Sequence, residues 1–282
     1  MKVAVNPTTI ESAPVFAAGE RLAGTVELTP GKIPLLLDGT ADAATNAETQ
    51  ALIYSLERPD LRIILTASEC AYRVVARRSR GIAAPIDLSG KTIGTTRHTS
   101  AHYFLCELLR RAGLYPPELD IIDVPQPDMP AALADGRIDA LAIWEPIAEA
   151  AAARIGDDAI VFQDGALFRE RFNLNTTTAV LADRGRRAAL VGFVRAVIAA
   201  ARDVGERPQS VWPLLAAKIN VPEPTIARLW PQFRFPATLP DDLAALLVDE
   251  ERWLAALQKR APRSAETLTG LIDRSVLAEA LG

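Results

Sequence analysis

The chain has little of what reactive sites are usually built from. Its 282 residues include only two cysteines, two histidines and two methionines, and aromatics make up 6%. Cys70 and Cys106 match neither a zinc spacing nor a disulfide framework. As nucleophiles they are poorly placed, because Cys70 follows Glu69 and Cys106 lies well inside a helical pattern, away from any activating base. No G-x-S-x-G, HExxH or Walker motif occurs. Charge of one sign is also scarce. A net charge of -4 with arginines scattered singly or in pairs gives no nucleic-acid footprint. No apolar run reaches the length that spans a bilayer. The opening MKVAVNPTT enters a strand and a turn without the pattern of a secretory leader, which predicts either a cytoplasmic protein or a leader replaced by a start Met.

What is present is concentrated. Both histidines fall in TTRHTSAHYFL, residues 95–105, beside hydroxyl-bearing side chains. Residues 91–94 read as a short strand, and Thr99 or Ser100 as a helix N-cap. Phe104, Leu105, Leu108, Leu109 and Ala112 then recur at helical spacing. Arg97, His98, Thr99 and Ser100 thus lie at a helix N-terminus, where unpaired N–H groups and the dipole favour an anion or a polar oxygen. His98, His102 and Cys106 are four residues apart in turn, but no fourth ligand accompanies them and no structural zinc is expected. His102 is expected to be a partly buried residue hydrogen-bonded to a neighbouring strand.

Two pieces of the chain recur in order. SAPVF at 12–16 resembles SAHYF at 100–104, and DGTADA at 38–43 resembles DGRIDA at 135–140. Each follows or precedes comparable strand, turn and helix patterns, so two similar α/β units are expected, with ligand contacts at the carboxyl ends of their strands. Strands are predicted at 2–5, 25–28, 41–44, 62–66, 73–76, 92–95, 120–124, 140–143, 159–162 and 177–181. Helices are predicted at 12–18, 48–56, 100–112, 129–134, 146–154 and 186–204. Beyond residue 208 the pattern is helical, at 214–219, 223–230, 241–259, 265–271 and 274–281.

NPTTIESAPVF, GTADAATNAETQAL, IDLSGKTIGTTRHTSAHYFLCELLRRAGL, MPAALADGRIDALAIWEP and LIDRSVLAEAL follow one another in the order of a known family. The sequence resembles the substrate-binding proteins of ABC importers, in the branch that includes aliphatic sulfonate, taurine and nitrate binders and pyrimidine-precursor-binding relatives. The resemblance implies an α/β, two-lobed type II periplasmic binding protein fold. Each lobe would be a mixed, mostly parallel sheet flanked by helices, with a helical C-terminal third. Crossing segments would lie near 83–87 and 175–180, giving one lobe of residues 1–84 and 180–282 and an inserted lobe of residues 85–179, with a ligand cleft between them. The implied ligand contacts are Thr8, Thr9 and Glu11; Thr45, Asn46 and Glu48; and His98, Thr99 and Ser100. Trp144 and Glu145 match the family's aromatic-acidic strand end. Leu141 departs from it, since relatives commonly carry a tryptophan there.

Other residues read two ways. Thr99 and Ser100 contact ligand or only cap a helix. Trp144 is a pocket wall or ordinary core, although Trp-Glu-Pro ends a strand abruptly, where pockets form. Arg73 either covers a strand edge or clamps a carboxylate, sulfonate or phosphonate. Glu11, Glu48 and Glu145 oppose a purely anionic ligand, so a zwitterion or polar neutral molecule also fits. Asn175, with Asn173 and Thr176, lines the cleft or satisfies backbone groups. The expected role is passive solute capture for a membrane permease, by a monomer without cofactor, resident metal or nucleic-acid partner. The implied location is the periplasm, or a lipid-anchored position outside the cytoplasmic membrane. The competing class is an enzyme on the same fold, desulfinase-like or related to pyrimidine-precursor synthesis, although the cysteine-rich motif of the pyrimidine synthase relatives is missing. A LysR-type sensor domain is disfavoured because the first strand begins at residue 2.

Overall fold

A computed structural model describes residues 1–115 and 120–282. The described residues divide into two compact units, one formed by Met1–Cys70 with Arg171–Gly282 and the other by Ala71–Glu170.

The first unit opens with β1 (Lys2–Val5), α1 (Ala13–Arg21), β2 (Glu27–Pro30), α2 (Ile33–Leu37), β3 (Ala43–Ala47), α3 (Glu48–Tyr54) and β4 (Leu61–Cys70). The second contains β5 (Arg73–Arg77), β6 (Thr92–Thr95), α4 (Ser100–Arg111), β7 (Asp120–Asp123), α5 (Met129–Ala134), β8 (Ala140–Ile143), α6 (Ile147–Ile155) and β9 (Ala159–Phe162). The chain then returns through β10 (Glu170–Thr177), α7 (Thr178–Ala182) and the long α8 (Arg184–Glu206). After these come α9 (Trp212–Ile219), α10 (Glu223–Leu229), β11 (Phe233–Arg234), α11 (Leu243–Leu257), α12 (Ala265–Thr269) and α13 (Ser275–Leu281). No described helix is long and apolar enough to cross a membrane.

The two sheets repeat one topology. The first has the order β11-β4-β10-β3-β1-β2 and the second β7-β6-β8-β5-β9. In the first unit β1 lies parallel to β2 and β3, and β10 runs antiparallel to β3. In the second β6 lies parallel to β7 and β8, and β5 runs antiparallel to β8. The repeated DGxxDA turn fixes both registers in the same way. Asp42 accepts the N–H of Lys2 at 2.8 Å and returns its own N–H to the Lys2 carbonyl at 2.8 Å. Asp139 does the same for Thr92, at 3.0 and 2.8 Å. Gly39 and Gly136 take the left-handed backbone that this turn needs, with φ of 84° and 73°.

Two expectations are corrected. Residues 177–181 are not a strand: Thr177 ends β10, and its hydroxyl accepts the Val180 N–H at the start of α7. The division between the units falls at Cys70/Ala71 and Glu170/Arg171, ahead of both expected crossings. The reason is pairing. β5 is held on both edges, by β8 and β9, so it belongs to the second sheet, whereas β10 fills the gap between β3 and β4 in the first. The short α2, with its apolar Ile-Pro-Leu-Leu-Leu run, is a helix that the sequence pattern does not announce.

Each sheet is buried by helices on its own unit. Phe16 of α1 and Phe193, Val194 and Val197 of α8 belong to the first core. In the second, Phe168 gathers Tyr103 at 5.3 Å and Tyr72 at 5.9 Å between ring centroids, edge-on and tilted, with Phe104 behind them.

Candidate functional site

In the first unit the carboxyl ends of the parallel strands β1 and β3 lie side by side, and the loops leaving them are tied together. The Asn6 N–H donates to Thr45 Oγ1 at 3.0 Å, and Asn6 Oδ1 accepts from the Thr8 N–H and hydroxyl at 3.2 and 3.0 Å. Ser12 Oγ donates to the Asn6 carbonyl at 2.8 Å, and Thr9 Oγ1 lies 3.5 Å from Ser12 Oγ. Glu11 is buried, and its carbonyl accepts the Ser68 hydroxyl. At the end of β3, Asn46 Oδ1 accepts the N–H of Ala47 at 3.0 Å. Glu48, fully buried at the first position of α3, accepts the backbone N–H of Arg171 at 2.7 Å. Thr8 alone of this expected set is exposed.

Asn175 does not stand at this strand end. It pairs with Ala44 inside the sheet, and its amide donates to the Ala44 and Asn173 carbonyls at 3.2 Å. The residue beside Asn46 is Asn173, whose Oδ1 accepts the Thr66 hydroxyl at 2.7 Å. Its Nδ2 and Asn175 Oδ1 are buried without a hydrogen-bond partner among the described residues. The sequence pattern marks this amide-rich stretch, but which asparagine reaches the strand end follows only from the register with β3.

In the second unit the equivalent strand ends are those of β6 and β8. After β6 the chain turns at His98, a non-glycine residue with φ of 58°, and its N–H donates to His102 Nδ1 at 3.3 Å. Thr99 occupies the N-cap position with extended backbone, yet its hydroxyl does not cap the helix. It donates instead to the Thr96 carbonyl at 2.7 Å. Ser100, the first residue of α4, is buried. His102 thus accepts a bond from the loop that precedes its own helix. Burial, with His98 and Arg97 adding to it, lowers the His102 imidazole to about 4, so it is neutral at pH 7. Because Nδ1 accepts, the proton sits on Nε2. Thr96, which the sequence does not single out, has a buried Oγ1 without a partner among the described residues.

After β8 come the partly buried Trp144, the buried Glu145 and a cis Glu145–Pro146 bond. Arg73 opens β5 directly opposite Ile143, so its side chain meets Glu145. Arg73 Nε donates to Glu145 Oε1 at 2.5 Å, Nη2 pairs with the same oxygen, and Nη2 also donates to Glu149 Oε2 at 3.1 Å. Glu145 Oε2 accepts the Glu149 N–H at 3.0 Å. Burial pushes the Glu145 carboxyl up, against the opposing pull of Arg73. The expected clamp therefore already holds two carboxylates of its own unit. Glu149 escapes a reading of the sequence, which gives no sign that β5 runs back past the start of α6.

The strand ends hold no metal-like grouping: among the described residues no three His, Cys, Asp or Glu side chains come together as a cation site. Cys70 is fully buried and Cys106 partly so, and the two form no disulfide among the described residues.

This architecture is that of the periplasmic binding proteins. The structure superimposes on the periplasmic aliphatic sulphonate binding protein SsuA from Escherichia coli with a TM-score of 0.79, at 19% identity, covering 95% of this chain and 90% of that one. A mutant of DSZB in complex with biphenyl-2-sulfinic acid superimposes with a TM-score of 0.71, at 16% identity, over 100% and 98% of the two chains. At such identities the likeness is one of fold. In sequence, the putative aliphatic sulfonates-binding protein of Escherichia coli K12 is 30% identical over 176 residues, 60% of this chain and 49% of the relative. The chain thus spans about half the length of that curated relative. The family described as NMT1/THI5 like matches residues 28–211, and the chain belongs to it.

Proposed function

We propose that the protein is the solute-binding component of an ABC importer, taking up a small polar organic molecule from the sulfonate, carboxylate, nitrate-like or zwitterionic classes. The observation that carries this reading is the paired arrangement of strand ends. Each unit presents hydroxyls, amides and a helix start at the carboxyl ends of its two central parallel strands, where ligands of open α/β sheets bind. Similarity to sulfonate-binding proteins supports it. The proposed contacts are Thr8, Thr9, Glu11, Thr45, Asn46 and Glu48 from the first unit and Arg73, His98, Thr99, Ser100, Trp144 and Glu145 from the second. A ligand touching both sets stabilises a closed state by its differential affinity, and a membrane permease reads that state. The accompanying proposals are a monomer and a location in the periplasm or anchored outside the cytoplasmic membrane. The mechanism is capture without chemistry, in keeping with a fully buried Cys70 and a Cys106 that sits in the second turn of α4, beyond the reach of its N-terminus.

A thermal-shift screen against sulfonates, taurine, nitrate, carboxylates, phosphonates, amino acids and pyrimidines tests this, because a ligand of the native state raises Tm by mass action. The expected result is a saturable shift with the ligand recovered unchanged, and loss of that shift in Trp144→Ala. A ligand consumed during incubation would replace the binding reading with an enzymatic one.

A further inference from the structure

Thr8 stands exposed on the loop that leaves β1, and what it can offer a solute is set by Asn6. Asn6 Oδ1 accepts the Thr8 N–H at 3.2 Å and the Thr8 hydroxyl at 3.0 Å. A backbone N–H can only donate, so the side-chain atom facing it is the amide oxygen and not the amide nitrogen. The hydroxyl on the same oxygen must therefore donate as well. This spends the Thr8 proton and leaves Oγ1 only its lone pairs, an acceptor on an exposed residue.

Asn6 has little freedom to release that proton. It is buried, its N–H donates to Thr45 Oγ1 at 3.0 Å, and its carbonyl accepts the Ser12 hydroxyl at 2.8 Å. Turning the Thr8 hydroxyl toward an anion would take a bond from Asn6 Oδ1. Pro7 has no N–H to offer in its place. Residues 7 and 8 thus keep no donor for an anion.

Donors are kept one strand over. At the end of β3, parallel to β1, Thr45 Oγ1 accepts the Asn6 N–H and retains its own proton, while Asn46 Oδ1 takes the Ala47 N–H and leaves Nδ2 as a donor. A solute with oxygens for these donors and an N–H group for Thr8 meets both. In the second unit Thr99 is committed as Thr8 is, its proton going to the Thr96 carbonyl at 2.7 Å.

We propose that Thr8 is a specificity-determining residue: with its proton held by Asn6, it accepts a hydrogen bond from an N–H donor of the solute, and the first unit thereby selects amine-bearing solutes. The proposal rests on the solute-binding reading above and narrows its ligand class.

The test uses three probe pairs that share an anionic head and differ by an amine: taurine and ethanesulfonate, glycine and acetate, β-alanine and propionate. Binding of each to the full chain is measured by calorimetry at matched ionic strength. In at least one pair the amine is expected to bind saturably and about 10-fold or more tighter than its partner. Thr8→Val keeps the shape of the side chain without its oxygen and should bring that pair to within about 2-fold. Thr8→Ser, which keeps the oxygen, should restore the difference. The proposal is overturned by wild-type protein that prefers the amine in no pair, and this arm needs no variant to fold. It is overturned equally by a preference that survives in Thr8→Val or that Thr8→Ser fails to restore. A saturable solute without any N–H or O–H donor, found in the broader screen, would sink the role of Thr8 and leave the solute-binding reading standing. No saturable solute at all would sink that reading too.

Discussion

Glu48 and Glu145 occupy the same place in two copies of one topology and are held in opposite ways. Each follows the last central parallel strand of its sheet, each is buried, and each faces the first residues of the antiparallel neighbour. In the first unit that neighbour supplies a backbone N–H, from Arg171, whose own side chain turns to Asp242 at 2.8 Å and towards Glu69 at 3.5 Å. In the second it supplies a guanidinium, from Arg73. A backbone amide is part of the strand and cannot be exchanged. A side-chain cation can be shared, competed for or removed. The shared topology therefore fixes where a buried carboxylate stands, and the residue type on the adjacent strand decides whether its partner is rigid or adjustable.

The largest effect that would sharpen this contrast comes from truncating each acid. Glu145→Ala takes the closer of two carboxylates from the nearly buried Arg73 and strands the Glu149 N–H, and is expected to cost about 3 kcal/mol. Glu48→Ala strands the buried N–H of Arg171 and is expected to cost about 1–3 kcal/mol. Urea denaturation of both variants orders them, and equal losses would break the distinction.

A second contrast lies two helices earlier in each unit, where Pro14 in SAPVF has His102 as its counterpart in SAHYF. The folded His102 pKa lies below its unfolded value, so between about 6.5 and about 4 the unfolded chain binds the extra proton. Stability should therefore fall as pH drops through that window, by at most about 3 kcal/mol from this group, and should be recovered at higher pH. The groups that bias it are His98, Arg97 and Asp123. His102→Gln is expected to flatten the slope of stability against pH between 6.5 and 4, and an unchanged slope would assign the titration elsewhere.

The third test asks where the two units agree. Asp42→Ala and Asp139→Ala each remove one acceptor for a strand N–H, together with a partly exposed arginine's partner, that of Arg186 or of Arg80. Both are expected to cost about 1–2 kcal/mol in urea denaturation, alike to within measurement error. Smallest of all is Thr99→Ala, expected to cost under about 1 kcal/mol, because its hydroxyl closes a local turn and caps nothing.

Much of this is readable from residues alone. The repeated DGxxDA and SAxxF pieces mark the duplicated topology because the turn needs a glycine with positive φ and an aspartate that accepts a strand N–H. Helix α5 and strands β1, β6, β8 and β9 lie where their patterns put them. Residues 173–180 mislead for a physical reason. Amides and hydroxyls in a row read as a crossing segment with a strand at 177–181, and only pairing with β3 and β4 shows that residues 170–177 form the fully buried strand. Apart from Asn175, the residues singled out lie at strand ends or in the loops leaving them, but the partners they meet there are not legible. That Arg73 meets Glu145 and Glu149 depends on a strand register spanning about 70 residues of chain, which no local pattern encodes.

The place of β10 between β3 and β4 sets a schedule for synthesis. Residues 1–70 leave the ribosome with a slot in their sheet whose filler, residues 170–177, is translated about 100 residues later. Over that interval the five strands of the second sheet are all made, so it is complete first. At roughly 5–20 residues per second the older sheet waits about 5–20 s with the facing edges of β3 and β4 bare. For those seconds the nascent chain offers a template that any extended peptide, or a chaperone, can occupy.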